Sequence, residues 1–361
     1  MNTQRPVLIM AGGTGGHVFP ALAVAERLRA CDVPVVWMGT QRGLEATLVP
    51  KAGIPLEWVG VAGLRGKSLR QRLLTPIMLS QALWQAGAIL RRLRPPVVLG
   101  MGGFVSGPGG VMARLLGIPL VVHEQNAIAG MTNRWLARIA WRVMEAFPGT
   151  FPPERRATTV GNPVRASIAE LPPPAERFAG RTGPCRLLVL GGSQGALALN
   201  QLVPQALALL ADNEQPEVWH QAGGQLHEAA EAAYREAGIA ARLTPFIEEM
   251  AQAYGWADLV LCRAGALTIA ELAATGVGAI LVPFPFAVDD HQTANARFLE
   301  RDGAALICQQ AELTAERLAA LLKELLADPG RLLRMAEAAR RLAKIDAAEQ
   351  VAQACLEQAT H

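Results

Sequence analysis

Val7-Leu8-Ile9-Met10-Ala11-Gly12-Gly13-Thr14-Gly15-Gly16-His17 is the stretch on which the fold of this chain turns. Residues 7–9 are apolar and partly β-branched, and beyond the glycines Leu22, Ala25, Leu28 and Arg29 recur at helical spacing, which predicts strand, glycine turn and helix. Such a turn lets the backbone approach a ligand closely and aims unpaired helix-start N–H groups at an anion, usually a phosphate. A tight strand-to-helix connection that needs small residues would leave the same trace. The glycines alone leave both readings open.

Outward from this unit, apolar runs at 7–10, 35–38, 97–99, 120–122 and 143–146 alternate with helical patterns, which predicts βαβ units and a parallel sheet. A proline-rich passage follows, with Pro148, Pro152, Pro153 and Pro163 and then Pro172-Pro173-Pro174. After it the programme restarts: a strand at 186–190, the glycine turn 191–195, a helix over 196–210, and further strands at 217–221, 258–261 and 279–282. The tail reads as helices at 313–327, 331–342 and 347–358. The fold class expected is therefore α/β, with two Rossmann-like doubly wound domains facing a cleft that holds the ligand. Their expected extents are 1–163 and 164–343.

Composition narrows the function. With 361 residues, 51% hydrophobic and 18% charged, the chain has material for two cores and little for disorder. A net charge of +3 falls short of the dense basic footprint of a nucleic-acid binder, so nucleic acid is not an expected partner. The 5 cysteines are scattered without a Cys-x-x-Cys pair, which points away from zinc and from a disulfide framework and fits a reducing cytoplasm. No run of 18 apolar residues occurs, and residues 1–6 read as lacking a signal-peptide core, so any membrane association is expected to be peripheral.

One helical pattern stands apart. Between Pro76 and Arg94, Leu79, Leu83, Ala86, Leu90 and Leu93 form one stripe for burial, while Ile77 and Trp84 fall on the opposite side, with Leu73 if the helix runs back through Pro76. Lys67, Arg70 and Arg72 precede this face and Arg91, Arg92 and Arg94 follow it. Apolar residues rimmed by Lys and Arg suit an anionic bilayer surface, and a helix sandwiched between two layers is the competing reading.

A second glycine cluster, Gly100-Met101-Gly102-Gly103-Phe104-Val105-Ser106-Gly107-Pro108-Gly109-Gly110, follows the strand at 97–99. Two glycine loops at the carboxyl ends of neighbouring strands would build one anion-receiving wall. Neither carries the Gly-x-Gly-x-x-Gly spacing of a dinucleotide site or the Gly-Lys-Ser/Thr ending of a P-loop, which counts against an NAD(P)-dependent oxidoreductase. In the second half, Arg263-Ala264-Gly265-Ala266-Leu267-Thr268-Ile269-Ala270-Glu271 follows a strand. Its amides around 266–268 suit a diphosphate and Glu271 suits ribose hydroxyls, although an acidic residue in a first helical turn also favours the helix dipole on its own.

Gly-Gly-Thr-Gly-Gly-His (12–17), Met-Gly-Gly-Phe-Val-Ser-Gly-Pro-Gly-Gly (101–110), His-Glu-Gln-Asn (123–126), Gly-Asn-Pro-Val-Arg (161–165), Gly-Gly-Ser-Gln-Gly (191–195) and Arg-x-Gly-Ala-Leu-Thr-x-x-Glu (263–271) occur in this order. With them the chain resembles the MurG family of bacterial glycosyltransferases, from about residue 6 to the end. The resemblance implies a GT-B architecture, with a terminal helix (344–361) that returns to the first domain. It also implies inverting transfer of N-acetylglucosamine from UDP-N-acetylglucosamine to undecaprenyl-pyrophosphoryl-N-acetylmuramoyl-pentapeptide, lipid I to lipid II, in peptidoglycan synthesis at the cytoplasmic face of the inner membrane. No cofactor and no metal are implied, and the chain has no Asp-x-Asp. Cell-wall and division proteins join UDP-sugar, lipid I and the anionic membrane surface as candidate partners.

Carried over by motif, Ser193 and the backbone of Ala266, Leu267, Thr268, Ile269 and Ala270 face the diphosphate, and Arg165 lies near the nucleotide. Ile247 holds uracil through its backbone and Glu271 binds ribose, while Asn126, Gln292 and Asn295 read the sugar. The resemblance implies a Gln-Gln pair where this chain has His291-Gln292, so Gln292 alone is carried over. Gly12, Gly13, Gly102, Gly103, Ser106 and Gly107 are assigned to the acceptor pyrophosphate, with Thr14, Gly15 and Gly16 edging the donor; Leu73, Ile77 and Trp84 are assigned to the membrane. Inversion needs a base for the acceptor 4-hydroxyl, and His17 is expected in that role, with Glu124 as the alternative and His123 orienting it. A UDP-N-acetylglucosamine 2-epimerase with the same architecture is the nearest competing enzyme, and a non-catalytic scaffold the remaining class.

Overall fold

The structure is a computed structural model that describes residues 5–41, 43–60, 75–192 and 195–359. Leu73 and Ser193, with the basic residues Lys67, Arg70 and Arg72, lie outside the described residues. The chain divides into two compact units, residues 1–165 together with 345–361, and residues 166–344. Both are Rossmann-like, the pair of folds implied by the GT-B resemblance.

The N-terminal unit runs β1 (Val7–Met10), α1 (Gly15–Ala30), β2 (Val35–Gly39), α2 (Glu45–Lys51), β3 (Leu56–Trp58) and α3 (Thr75–Leu93). It continues through β4 (Val98–Gly100), α4 (Ser106–Leu115), β5 (Leu120–Glu124), α5 (Met131–Leu136), β6 (Arg142–Glu145) and β7 (Thr158–Thr159). The strands pair in parallel in the order β3-β2-β1-β4-β5-β6-β7. Every residue of β1 is buried, because Val7 and Ile9 pack with Val18, Ala21, Val24 and Leu28 of α1 while Leu8 and Met10 pack with Ala82, Ala86 and Leu90 of α3. A strand covered on both faces loses polar alternation and reads as a continuous apolar run.

The second unit runs α6 (Ala166–Ala169), α7 (Pro174–Phe178), β8 (Arg186–Leu190), α8 (Leu197–Leu207), β9 (Glu217–Gln221), α9 (His227–Glu236), β10 (Arg242–Thr244) and α10 (Met250–Trp256). Then follow β11 (Leu259–Cys262), α11 (Ala266–Thr275), β12 (Gly278–Leu281), α12 (His291–Glu300), β13 (Ala305–Ile307), α13 (Ala315–Leu326) and α14 (Pro329–Arg341). Its parallel order is β10-β9-β8-β11-β12-β13. The last helix, α15 (Ala347–Ala359), leaves this unit and packs on α1, placing Val351, Ala352, Ala354 and Cys355 in the first unit's core. Alanine and cysteine are small enough for close helix approach, which explains an alanine-rich terminal helix.

The α3 pattern needs one correction. Ala82, Ala86, Ile89 and Leu90 are buried, but Leu79 is 48% exposed and belongs with Ile77 (65%) and Trp84 (72%). Leu79 lies in the first turns of α3, outside the stretch of the helix whose residues join the core under the sheet. The sandwiched-helix reading does not hold, since both Ile77 and Trp84 stand open. No helix among the described residues is long and apolar enough to cross a membrane.

Candidate active site

In each sheet the strand order reverses once, between β1 and β4 in the first unit and between β8 and β11 in the second. Loops leaving the carboxyl ends of such neighbours diverge to opposite sides and leave a crevice between them. The glycine motifs occupy these places. In the first unit, Gly102 and Gly103 have φ of +96° and +83°, and a Cβ on Gly103 would overlap the Gly12 carbonyl oxygen. The two glycine loops therefore touch backbone to backbone, and only glycine permits it. Among the described residues no side chain caps α1 or α4, so the first-turn N–H groups beside Gly15, Gly16 and Gly107 stay available to an anion.

Two residues assigned from the sequence, Ser106 and Glu124, are engaged within the protein. Ser106 is fully buried and its hydroxyl lies within donating distance of the carbonyls of Met10 (3.0 Å) and Gly102 (2.8 Å), so it braces the second loop instead of meeting a ligand. Glu124 is 1% exposed and its carboxylate accepts from Asn126 N (2.9 Å), Asn126 Nδ2 (3.2 Å), Gly130 N (3.0 Å) and Asn133 Nδ2 (3.0 Å). A carboxylate so saturated shapes the 126–133 turn and is no longer a candidate for the base. The Asn126 side-chain amide donates to Glu124, and the Asn126 backbone carbonyl accepts from the Thr150 hydroxyl at 3.2 Å.

His17 stands at the joint of the two loops. Its ring edge lies against Gly102, where a Cβ would come within 2.7 Å of Nδ1, and Nδ1 is 2.8 Å from Gln125 Oε1. Nε2 has no partner among the described residues. His123 is fully buried and bonds the Gly161 carbonyl and Gln125 rather than the Glu124 carboxylate; burial lowers its pKa to about 4. Arg165, at the end of the first unit, places its guanidinium 5.5 Å from the Phe19 ring on α1.

Glu45 escaped the sequence reading. It is fully buried at the start of α2, and its carboxylate accepts from Gly13 N (2.9 Å), Thr40 N (3.0 Å) and Thr40 Oγ1 (2.7 Å). A Cβ on Gly12 would come 2.6 Å from Glu45 Oε1, so the glycine makes room for the carboxylate that holds the loop. The signal available was an acidic residue at a helix start two residues after Gly43, where a Cβ would overlap the same carboxylate.

In the second unit, Gly192 and Gly195 have φ of +84° and +77°, and Gln221 donates to the Gly192 carbonyl at 2.9 Å. Gly265 begins α11 in extended conformation with no side-chain cap, so the N–H groups of Ala266, Leu267 and Thr268 open the helix unpaired among the described residues; Ile269 N already bonds Gly265 O at 2.9 Å. Ile269 is wholly buried, and Ala270 follows it one turn into the helix, which leaves the first three amides as the anion-facing ones. Glu271 is 5% exposed and one carboxylate oxygen accepts from the Tyr254 hydroxyl at 3.0 Å. Tyr254, one of 2 tyrosines in the chain, was a second residue missed. Gln292 Oε1 accepts from Ala264 N (3.2 Å) and Phe284 N (2.9 Å), tying two strand ends together. Asn295 departs from its expected sugar contact: it is fully buried and donates to the Ala264 carbonyl at 3.2 Å, bracing the turn before α11. Ile247 is 5% exposed beside the half-exposed Phe246, in the loop after β10.

Comparison with known proteins spans nearly the whole chain. Residues 7–145 match the glycosyltransferase family 28 N-terminal domain and residues 186–351 its C-terminal domain. The chain is 61% identical over 354 residues to the UDP-N-acetylglucosamine–N-acetylmuramyl-(pentapeptide) pyrophosphoryl-undecaprenol N-acetylglucosamine transferase of Nitrosococcus oceani, covering 98% of this chain and 99% of that one. It is 62% identical to the same transferase of Alkalilimnicola ehrlichii at the same coverage. Among solved structures, Acinetobacter baumannii MurG aligns with a TM-score of 0.83 and 42% identity over 98% of this chain and 99% of that one. The chain belongs to glycosyltransferase family 28 and, within it, to the MurG N-acetylglucosamine transferases.

Proposed function

We infer that the chain carries out the reaction its relatives are named for: it transfers N-acetylglucosamine from UDP-N-acetylglucosamine to the N-acetylmuramoyl 4-hydroxyl of lipid I, giving lipid II. In this reading the acceptor oxygen attacks the anomeric carbon in line with the departing UDP. The bond from that carbon to the diphosphate breaks, the configuration inverts, and the hydroxyl proton passes to His17 Nε2. The negative charge that develops on the diphosphate is met by the unpaired amides of Ala266, Leu267 and Thr268, fixed dipoles that need no reorganisation during the reaction. Glu271, oriented by Tyr254, takes the ribose hydroxyls, Ile247 the uracil, and the unbonded Nε2 of Gln292 the sugar. The touching loops around Gly12, Gly13, Gly102, Gly103 and Gly107 receive the acceptor pyrophosphate, with Thr14, Gly15 and Gly16 along their edge.

The observation that carries the chemistry is the His17 ring, packed on Gly102 at the joint of the loops with Nε2 unpartnered among the described residues. We place the enzyme on an anionic bilayer through Ile77, Leu79 and Trp84, the open face of α3. The test is incubation with labelled UDP-N-acetylglucosamine and a lipid I analogue. Label in the lipid product with release of UDP is expected, and in His17→Ala the turnover falls by about 10²–10⁴ with UDP affinity kept. Near-normal turnover in His17→Ala would return the base to another group, and N-acetylmannosamine formed without acceptor would mean an epimerase.

A further inference from the structure

The hydrogen bonds behind His17 run in one direction, and two backbone carbonyls set it. The Gly161 carbonyl can only accept, so His123 Nε2, 2.9 Å away, is the nitrogen that carries the proton. A neutral imidazole then offers Nδ1 as an acceptor, and full burial keeps His123 neutral. Gln125 Nε2 lies 3.1 Å from that Nδ1 and also 3.1 Å from the carbonyl oxygen of His123. The second contact fixes the side-chain amide: an Oε1 in that place would face a carbonyl oxygen, acceptor against acceptor. Gln125 Oε1 is therefore the atom 2.8 Å from His17 Nδ1, and Nδ1 must be the donor.

The geometry points to Gln125 and His123 as positioning residues that fix the tautomer of His17, with the proton on Nδ1 and the lone pair on Nε2 before any acceptor arrives. This rests on the reading of His17 as the base. The acceptor behind His17 is a neutral amide, so it chooses the tautomer without adding a charge that would hold the imidazolium after proton transfer. Gln125 is 1% exposed, and Gly102 lies against the same Nδ1–Cε1 edge of the His17 ring that meets the amide.

The test uses the full-length protein labelled with 15N-histidine, its ring nitrogens read by two-bond proton–nitrogen correlation at about pH 8, above the ordinary histidine range. The His17 resonances are assigned by their loss in His17→Ala. In the unaltered protein His17 is expected to show a protonated Nδ1 and a bare Nε2, and His123 the reverse. Gln125→Leu is expected to return His17 to the mixed tautomers of a free imidazole and to lower kcat about 10- to 100-fold, within the range a positioned base contributes. KM for UDP-N-acetylglucosamine should stay within about twofold, since no donor contact is removed. A protonated Nε2 in the unaltered protein, or an unchanged tautomer in Gln125→Leu, would overturn the relay even if a variant folds poorly, because the first measurement needs no variant. Near-normal turnover in His17→Ala with the tautomers as stated would instead overturn the base assignment.

Discussion

Gly103 and Gly13 both have positive φ in the two glycine loops of the first unit, yet they differ in what surrounds them. At Gly13, φ is +95° and a Cβ would meet nothing within 4 Å, so Gly13→Ala adds only backbone strain, about 1–2 kcal/mol. At Gly103 a Cβ would meet the carbonyl oxygen and amide nitrogen of Gly12, atoms that cannot rotate out of the way. Gly103→Ala is therefore expected to push the two loops apart and lower kcat/KM for the lipid acceptor by about 10²-fold, the scale of a 1 Å misplacement. UDP binding should be preserved, because the residues proposed for the diphosphate, ribose and uracil (Ala266, Leu267, Thr268, Glu271 and Ile247) lie in the second unit. Steady-state kinetics with acceptor varied against donor checks this, and equal effects of the two substitutions would refute the contact argument. The motif residues were legible in the sequence because glycine is conspicuous, but their braces were not. Glu45 serves Gly13 from 32 residues away, and Gln125 serves His17 from 108 away. Such partners leave no local spacing to read, and Ser106, Glu124 and Asn295 were misassigned because burial is invisible in a motif.

At the scale of elements, the strands the sequence left out are β3, β7, β10 and β13, which are the four sheet edges. Each is two or three residues long and only partly buried, whereas β1, β8 and β9 sit inside their sheets and match the expected apolar runs. An edge strand needs no continuous apolar run, so periodicity misses it. Helix α3 presents the reverse case, an amphipathic pattern with a second apolar face that the unit's own core does not cover. Ile77 and Trp84 would each gain about 1.5–3 kcal/mol on leaving water, enough for roughly ten- to hundredfold in partition per residue. Ile77→Glu/Trp84→Glu is therefore expected to abolish co-sedimentation with anionic vesicles. Transfer to a water-soluble acceptor should continue at the normal rate, since neither residue belongs to the glycine loops. Unchanged sedimentation would remove α3 from the membrane contact.

Among the described residues each unit carries one buried neutral histidine, and this couples the stability of the molecule to acid. His123 in the first unit has its pKa lowered to about 4, and His220 in the second to about 3, in both cases by burial, which penalises the charged form. In the unfolded chain both return to about 6.5, so between that value and the folded ones the unfolded state binds more protons. Stability is then complete above about pH 6.5 and falls as the pH drops toward 4, by about 1.4 kcal/mol per pH unit for each histidine. His220 sits at the centre of this for the second unit: its Nδ1 lies 2.9 Å from the Tyr234 hydroxyl, and its buried Nε2 has no partner to hold a second proton. His220→Gln can keep a bond to Tyr234 and cannot titrate. Urea unfolding followed by the fluorescence of Trp219, the strand neighbour of His220, should therefore lose about 1.4 kcal/mol per pH unit of its slope between pH 6 and 4.5 in this variant. The same slope in His220→Gln as in the unaltered chain would mean that carboxylates, and not the buried imidazole, govern the acid sensitivity of the second unit.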